Sequence, residues 1–84
     1  MAAGKPAPVL VAGARQVRRA LDAGQVIRLF AAQDADPAVT DPPVRRCGQE
    51  GIAVEWLPSM KQLGAKCGLS VAAAVAAQLR PAEE

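Results

Sequence analysis

Residues 8–32, PVLVAGARQVRRALDAGQVIRLFAA, carry the pattern that decides the fold. The apolar runs PVLVA (8–12) and VIRLFAA (26–32) are short and bounded, which predicts two buried strands. Between them lies GARQVRRALDAG (13–24), in which apolar residues repeat at helical spacing between two glycines. The stretch therefore predicts a strand, a helix and a second strand, the order from which layered α/β domains are built.

The predicted helix has two different faces. Its apolar stripe consists of Ala14, Val17 and Leu21, with Ala20 beside them. Its polar face consists of Arg15, Arg18, Arg19 and Asp22. From position 15 to position 28 the chain has four arginines and one acid, although its net charge is only +2. Such clustering predicts a local positive field despite the small total charge.

The middle of the chain predicts a turn, a short helix and a third strand. QDADPAVTDPP (33–43) is rich in Asp and Pro, which is typical of turns. Asp41 precedes two prolines, which predicts the N-cap of a short helix over 44–50 that ends at Gly51. IAVEWL (52–57) then predicts a third strand.

The last third of the chain predicts a helix and a final strand. PSMKQLGAKCG (58–68) fits a helix with Ser59 as its N-cap and Gly68 at its end. The Ala-rich segment that follows favours a helix by propensity, but the alternating order favours a strand over 74–79 after a loop at 68–73. The fold predicted is a three-layer αβα sandwich of the α/β class, with a mixed sheet of about four strands and helices on both faces.

The length of 84 residues predicts one domain, over 8–80, with flexible tails at 1–7 and 81–84. Phe30 and Trp56 are the two aromatic residues, so the core must consist of Val, Leu, Ile and Ala. We expect Trp56 to lie in the core or at a strand end rather than to serve as a stacking platform.

The cysteines and the apolar runs indicate the compartment. Cys47 and Cys67 form neither a zinc-site spacing nor a CxxC pair, and the chain has no histidine. They predict reduced, partly buried thiols, and together with the lack of a signal-peptide pattern they predict a cytoplasmic protein. The most apolar run, 69–79, is shorter than the ~20 residues that a membrane span needs. We therefore expect no metal, no cofactor and no membrane contact.

The residue types favour binding over catalysis. Without histidine, the commonest base for a nucleophile is missing, and no phosphate-binding motif such as a Walker sequence is present. A strand that runs through Gly13 into a helix exposes free N–H groups, which attract anions. Arg15 and Gln16 follow in the first turn, and Arg19 lies one turn later on the same side; arginine binds phosphates and guanine edges. On composition alone, an ordinary solvated face remains the alternative.

Three segments carry a resemblance to a known family. They are GARQVRRALDAG (13–24), AAQDADP (31–37) and GIAVEWLPSMKQLGAKCGLSVAAAVAA (51–77). In this order and spacing they resemble the ribosomal-protein seven-Ae/thirty-e family of kink-turn RNA-binding proteins, above all its short bacterial YbxF-type members. The resemblance covers about residues 9–79. It implies a non-enzymatic αβα sandwich that recognises a sharp RNA bend with tandem sheared G·A pairs and one flipped-out base.

The resemblance also implies a two-part RNA site. At the helix start, Gly13 allows close approach, and Arg15, Gln16 and Arg19 occupy the positions of the family's Asn, Glu and Lys. The loop after the helix that ends in Cys67-Gly68 holds apolar residues against the flipped-out base. The implied RNA-binding residues are Gly13, Ala14, Arg15, Gln16, Arg19, Leu69, Ser70, Val71 and Ala72.

Two departures from the family pattern affect the expected contacts. Arg15 only donates hydrogen bonds and Gln16 is neutral, so the bonds to the G·A pairs must differ from the family's commoner ones.

Asp34 and Asp36 are expected to be turn and cap residues rather than RNA contacts. The implied partner is a kink-turn in ribosomal or another noncoding RNA. A compact single domain with a mixed surface predicts a monomer. The alternative is a protein–protein interaction module that keeps the fold without specific RNA binding.

Overall fold

A computed structural model describes residues 9–80; the tails predicted at 1–7 and 81–84 lie outside the described residues. The elements in chain order are β1 (Val9–Ala12), α1 (Ala14–Asp22), β2 (Val26–Ala32), α2 (Pro37–Glu50), β3 (Ala53–Leu57), α3 (Met60–Lys66) and β4 (Val75–Leu79). Each strand begins within one residue of its predicted start. The Ala-rich segment is thus a strand, against its helical propensity.

The four strands form one mixed sheet in the order β1-β4-β2-β3. β2 and β3 are parallel, and β4 runs antiparallel to both β1 and β2. Consequently the carboxyl ends of β1, β2 and β3 lie at the same end of the sheet as the amino end of β4. We call this end, marked by Ala12, Ala32, Leu57 and Val75, the upper end.

Helices cover both faces of the sheet and complete the three-layer sandwich. Alternate residues of a strand point to opposite faces, so β2 contributes to two cores. Leu29 packs with Val17 of α1 and Cys47 of α2 on one face. Phe30 packs with Leu63 of α3 on the other face. Burial on both faces explains why residues 29–32 of β2 are all apolar, whereas Ile27 and Arg28 before them are exposed.

The predicted start of α2 is wrong. The helix begins at Pro37 with Asp36 as its N-cap, instead of following Asp41 and covering only 44–50. The Asp36 carboxylate accepts a hydrogen bond from the Ala38 N–H at 2.9 Å. Two Asp-Pro pairs in this segment both fit a helix start, and the earlier one is used.

Pro42 and Pro43 consequently lie inside α2. An interior proline lacks the N–H donor and crowds the preceding turn, at a cost of ~3 kcal/mol. Thr40 and Cys47, on either side of the prolines, are buried, and Cys47 packs against the sheet residue Leu29, which favours the helical segment. Tertiary packing therefore overrides the local turn chemistry of this segment.

The remaining local predictions have mixed outcomes. Ser59 caps α3 as predicted, because its hydroxyl accepts a hydrogen bond from the Gln62 N–H at 3.1 Å. Trp56 is 43% exposed, so it lies at a strand end and not in the core. Cys47 and Cys67 are free cysteines, the first fully buried and the second half-buried.

Candidate nucleic-acid interface

Helix α1 begins at the upper end without a side-chain cap among the described residues. Gly13 occupies the N-cap position with φ 99° and ψ 145°, a conformation that side-chain-bearing residues rarely adopt. A Cβ on Gly13 would meet no described atom within 4 Å, so the space beside it is open. The first turn contains no acid but has Arg15. Free N–H groups and the helix dipole make this end positive.

The exposed face of α1 carries the predicted site residues. Arg15, Gln16 and Arg19 are all exposed. Arg18 differs, because it lines a groove of about 390 Å³ between α1 and α2. Ala14, predicted to lie in the apolar stripe, is exposed and lines the same groove. The residues of α1 that are buried as predicted are Val17, Ala20 and Leu21.

The far end of α1 is joined to α2 by one ion pair, between Asp22 and Arg46. Arg46 donates hydrogen bonds to the carboxylate of Asp22 and, at 2.8 Å, to that of Glu50. Its guanidinium also donates to the carbonyl oxygen of Leu21 at 3.3 Å. The hydrogen bond from Arg46 lowers the pKa of Asp22 below its ordinary value. The single acid of α1 is thus engaged by α2, at the opposite end from Arg15.

The loop between α3 and β4 exposes apolar side chains. Leu69 is 41% exposed and Val71 is 66% exposed. Ser70 and Ala72 are exposed as well. Two large, exposed apolar side chains thus lie within three residues of each other and form a small apolar patch.

The sheet brings this loop next to the start of α1. The Gly13 N–H donates to the carbonyl oxygen of Val75 at 2.9 Å, directly after the loop. The Ala32 N–H donates to the carbonyl oxygen of Ala74 at 3.0 Å. Both bonds follow from the position of β4 between β1 and β2. The two predicted parts of the site therefore meet at the upper end, while their contact with RNA stays a prediction.

The acids of the β2–α2 segment have structural partners. The Asp34 carboxylate accepts a hydrogen bond from the Met60 N–H at 2.8 Å and so holds the start of α3. Asp36 caps α2. Both residues thus act in turns and caps, as expected. Within residues 9–80, no three His, Cys, Asp or Glu side chains group as a metal site would require.

Comparison with known proteins identifies the family. No family model matches the chain. An RNA-binding protein of a Geobacillus species is 36% identical over 70 residues, which cover 83% of this chain and 85% of that protein. The RNA-binding protein YbxF of Geobacillus stearothermophilus is 34% identical over 71 residues, which cover 84% and 87% of the two chains. The chain belongs to the family of YbxF-type RNA-binding proteins.

Solved structures of similar fold extend beyond these bacterial family members. The Giardia lamblia 15.5kD RNA binding protein superposes with a TM-score of 0.78 at 25% identity, over 86% of this chain and 61% of that chain. A Bacillus halodurans protein with unknown function superposes with a TM-score of 0.75 at 25% identity, over 84% and 71% of the two chains. Among the described helices of this family member, none is long and apolar enough to cross a membrane.

One residue of the upper end was not predicted to take part in the site. Gly64 is buried in α3, below the loop that carries Leu69 and Val71. Glycine is a poor helix former, so a glycine inside a short helix indicates close packing by another backbone. That signal was present in LGAKCG, but it does not identify the packing partner.

Proposed function

We propose that the chain binds structured RNA at kink-turns, as a monomer and without catalysis. One observation carries the proposal: the uncapped, basic start of α1 lies beside an exposed apolar loop. A positive helix end suits phosphates and base-edge acceptors, and an apolar loop suits an unstacked base. Several relatives are named RNA-binding proteins, as is one of the structural neighbours. Both parts of the site belong to one chain, so no second copy is needed.

The start of α1 would contact the G·A pairs and the adjacent backbone. Gly13 has no side chain and open space beside it, so a nucleotide can approach the helix N–H groups. Arg15 would donate to a guanine edge or a phosphate, and Gln16 can both donate and accept. Arg19, one turn further on, would contact the backbone phosphates.

The loop would cover the flipped-out base. Leu69 and Val71 offer the apolar surface on which an extruded base can pack. Ser70 and Ala72 lie between and after them and leave room for the nucleotide. In this arrangement α1 supplies charge and hydrogen bonds, and the loop supplies apolar contact.

A mobility-shift titration tests this function. The probes are a kink-turn RNA and the same RNA with its G·A pairs replaced by Watson–Crick pairs. We expect tight binding to the first alone, because the second cannot bend. Equal affinity for both would contradict kink-turn recognition, and failure to bind either RNA would favour the protein–protein interaction module.

Arginine variants test the interface itself. Arg15→Ala should weaken binding by ~1–3 kcal/mol if this side chain contacts a base edge. The matched control is Arg45→Ala, which removes an exposed arginine from α2. The logarithm of the binding constant for the kink-turn should fall linearly with the logarithm of salt concentration, because phosphate contacts release counterions. An unchanged affinity for Arg15→Ala would leave the residue as plain solvated surface.

The cellular setting follows from the thiols and the partner. Cys47 and Cys67 are free, which fits a reducing compartment, so we propose that the protein acts in the cytoplasm. Ribosomal RNA is one candidate partner, and other noncoding RNAs with kink-turns fit equally well. Sequencing the RNA that co-purifies with the protein from its native cell would identify the partner.

A further inference from the structure

Helix α3 and the loop that it carries approach each other at Gly64. A Cβ built on Gly64 would overlap the carbonyl oxygen of Val71 and lie 3.1 Å from the Cα of Ala72. Both contacts are to backbone atoms, which cannot rotate away as a flexible side chain can. Any side chain at position 64 must therefore push the loop away from α3.

The loop is tied to α3 on both sides of this contact. The Leu69 N–H donates to the Gly64 carbonyl oxygen at 2.9 Å. The Ala73 N–H donates to the Met60 carbonyl oxygen at 3.0 Å. Between these two bonds, the chain passes over Gly64 and exposes its side chains. Helix α3 thus fixes how far the loop protrudes from the upper end.

We propose that Gly64 is a positioning residue for the RNA site. The missing Cβ lets the loop lie at the depth where Leu69 and Val71 stand beside the start of α1, ready to pack on the same extruded base. This inference rests on the proposed function and deepens it, because it assigns the geometry of the base contact to a buried residue that does not touch RNA.

Gly48 provides a matched control. It is the other glycine inside a described helix, it lies in α2, and a Cβ there would meet nothing within 4 Å. Glycine to alanine raises helix propensity equally at both positions. The two variants therefore differ in whether the new methyl group collides with the loop.

The test measures the affinity of the wild type and of each variant for two RNAs. One RNA is an intact kink-turn, and the other is the same kink-turn with an abasic site at the flipped-out nucleotide. The wild type should bind the intact RNA at least about tenfold more tightly, since the loss of an apolar contact has this size. Gly64→Ala should lose most of that ratio, whereas Gly48→Ala should keep it. A merely structural role would weaken both complexes equally and leave the ratio unchanged, which would overturn the inference.

The outcomes separate the two proposals. If the wild type ignores the kink-turn, the proposed function fails. If it binds the kink-turn but with the same affinity for the abasic RNA, or if Gly64→Ala keeps the wild-type ratio, the inference alone fails.

Hydrogen exchange on the wild-type protein keeps the test decisive if Gly64→Ala does not fold. The amides of Leu69 and Ala73 should then exchange at least about tenfold more slowly than unstructured peptide amides, because both are bonded to carbonyls of α3. Exchange at peptide rates would overturn the inference.

Discussion

Helices α2 and α3 begin with side-chain caps, whereas α1, within residues 9–80, begins without one. Asp36 satisfies an N–H group of α2, and Ser59 and Asp34 each satisfy one of α3. At the same position α1 has Gly13, which offers no side chain. The chain thus caps the two helices whose starts support the architecture. It leaves open the one that begins beside the exposed loop, where a ligand can satisfy the N–H groups.

The charges at the starts of α1 and α2 also differ, whereas α3 has Lys61 at the position that matches Arg15. A positive side chain near a helix N-terminus is unfavourable, because it opposes the macrodipole. Arg15 nevertheless occupies the first turn of α1. For Arg15, this cost in stability fits the proposed RNA site, where the charge would serve binding.

The largest expected effect comes from reversing the charge at position 15. Arg15→Glu should weaken kink-turn binding by more than the ~1–3 kcal/mol that alanine costs, because the new carboxylate repels phosphates. It should also raise the free energy of unfolding by ~0.3–1 kcal/mol, because an acid favours the helix dipole. RNA titration and urea unfolding measure the two effects. If Arg15→Glu lowers both the RNA affinity and the free energy of unfolding, the start of α1 is not the open, positive helix end that distinguishes it from the capped helices.

An intermediate effect is expected at a capped helix. Asp36→Ala should lower the free energy of unfolding by ~0.5–2 kcal/mol, because α2 loses its N-cap. The affinity of the folded protein for RNA should stay unchanged. Asp41→Ala is the control, since Asp41 is exposed inside α2 and should shift stability by no more than ~0.5 kcal/mol. A larger loss at Asp41 than at Asp36 would contradict the helix start described above.

The smallest effect concerns how the free energy of unfolding depends on pH through the ion pair at the far end of α1. Arg46 lowers the pKa of Asp22, whose ordinary value is 3.8, so the folded state binds this proton less readily than the unfolded state. The ion pair therefore stabilises the fold above about pH 4 and loses this contribution as the pH falls through the lowered pKa. Asp22→Asn should be slightly less stable than the wild type at pH 7 and equally stable at low pH.

Unfolding curves at several pH values, at low and high salt, measure this effect. Salt should reduce the difference, since Asp22 is exposed and Arg46 is only half-buried. If the free energy of unfolding changes with pH in the same way for the wild type and Asp22→Asn, the ion pair does not stabilise the contact between α1 and α2.

Strands were predictable because each is marked by a bounded apolar run. The hardest of them, β4, is rich in alanine, and its order in the chain predicted it where propensity did not. Ala76 and Ala77 are fully buried in the middle of the sheet, where small side chains allow helices to pack closely on both faces. The place of β4 in the sheet thus determines its strand conformation, which the local propensity does not predict.

The start of α2 and the role of Gly64 could not be predicted for the same reason. Two Asp-Pro pairs are locally equivalent, and the helix begins at the first pair, after which Thr40 is buried in the folded protein. The contact of Gly64 with Val71 joins a helix to a loop whose position depends on β4. Both features depend on distances in the folded protein, which local patterns do not contain.

The central position of β4 has a consequence for the timing of folding. β1 pairs with β4 alone among the described strands, so it has no partner until residues 75–79 have been synthesised. The bond between the Gly13 N–H and Val75 forms at the same moment. A partly made chain therefore lacks the joined site, even after α1 has emerged. The proposed RNA site is thus assembled only once β4 has been synthesised.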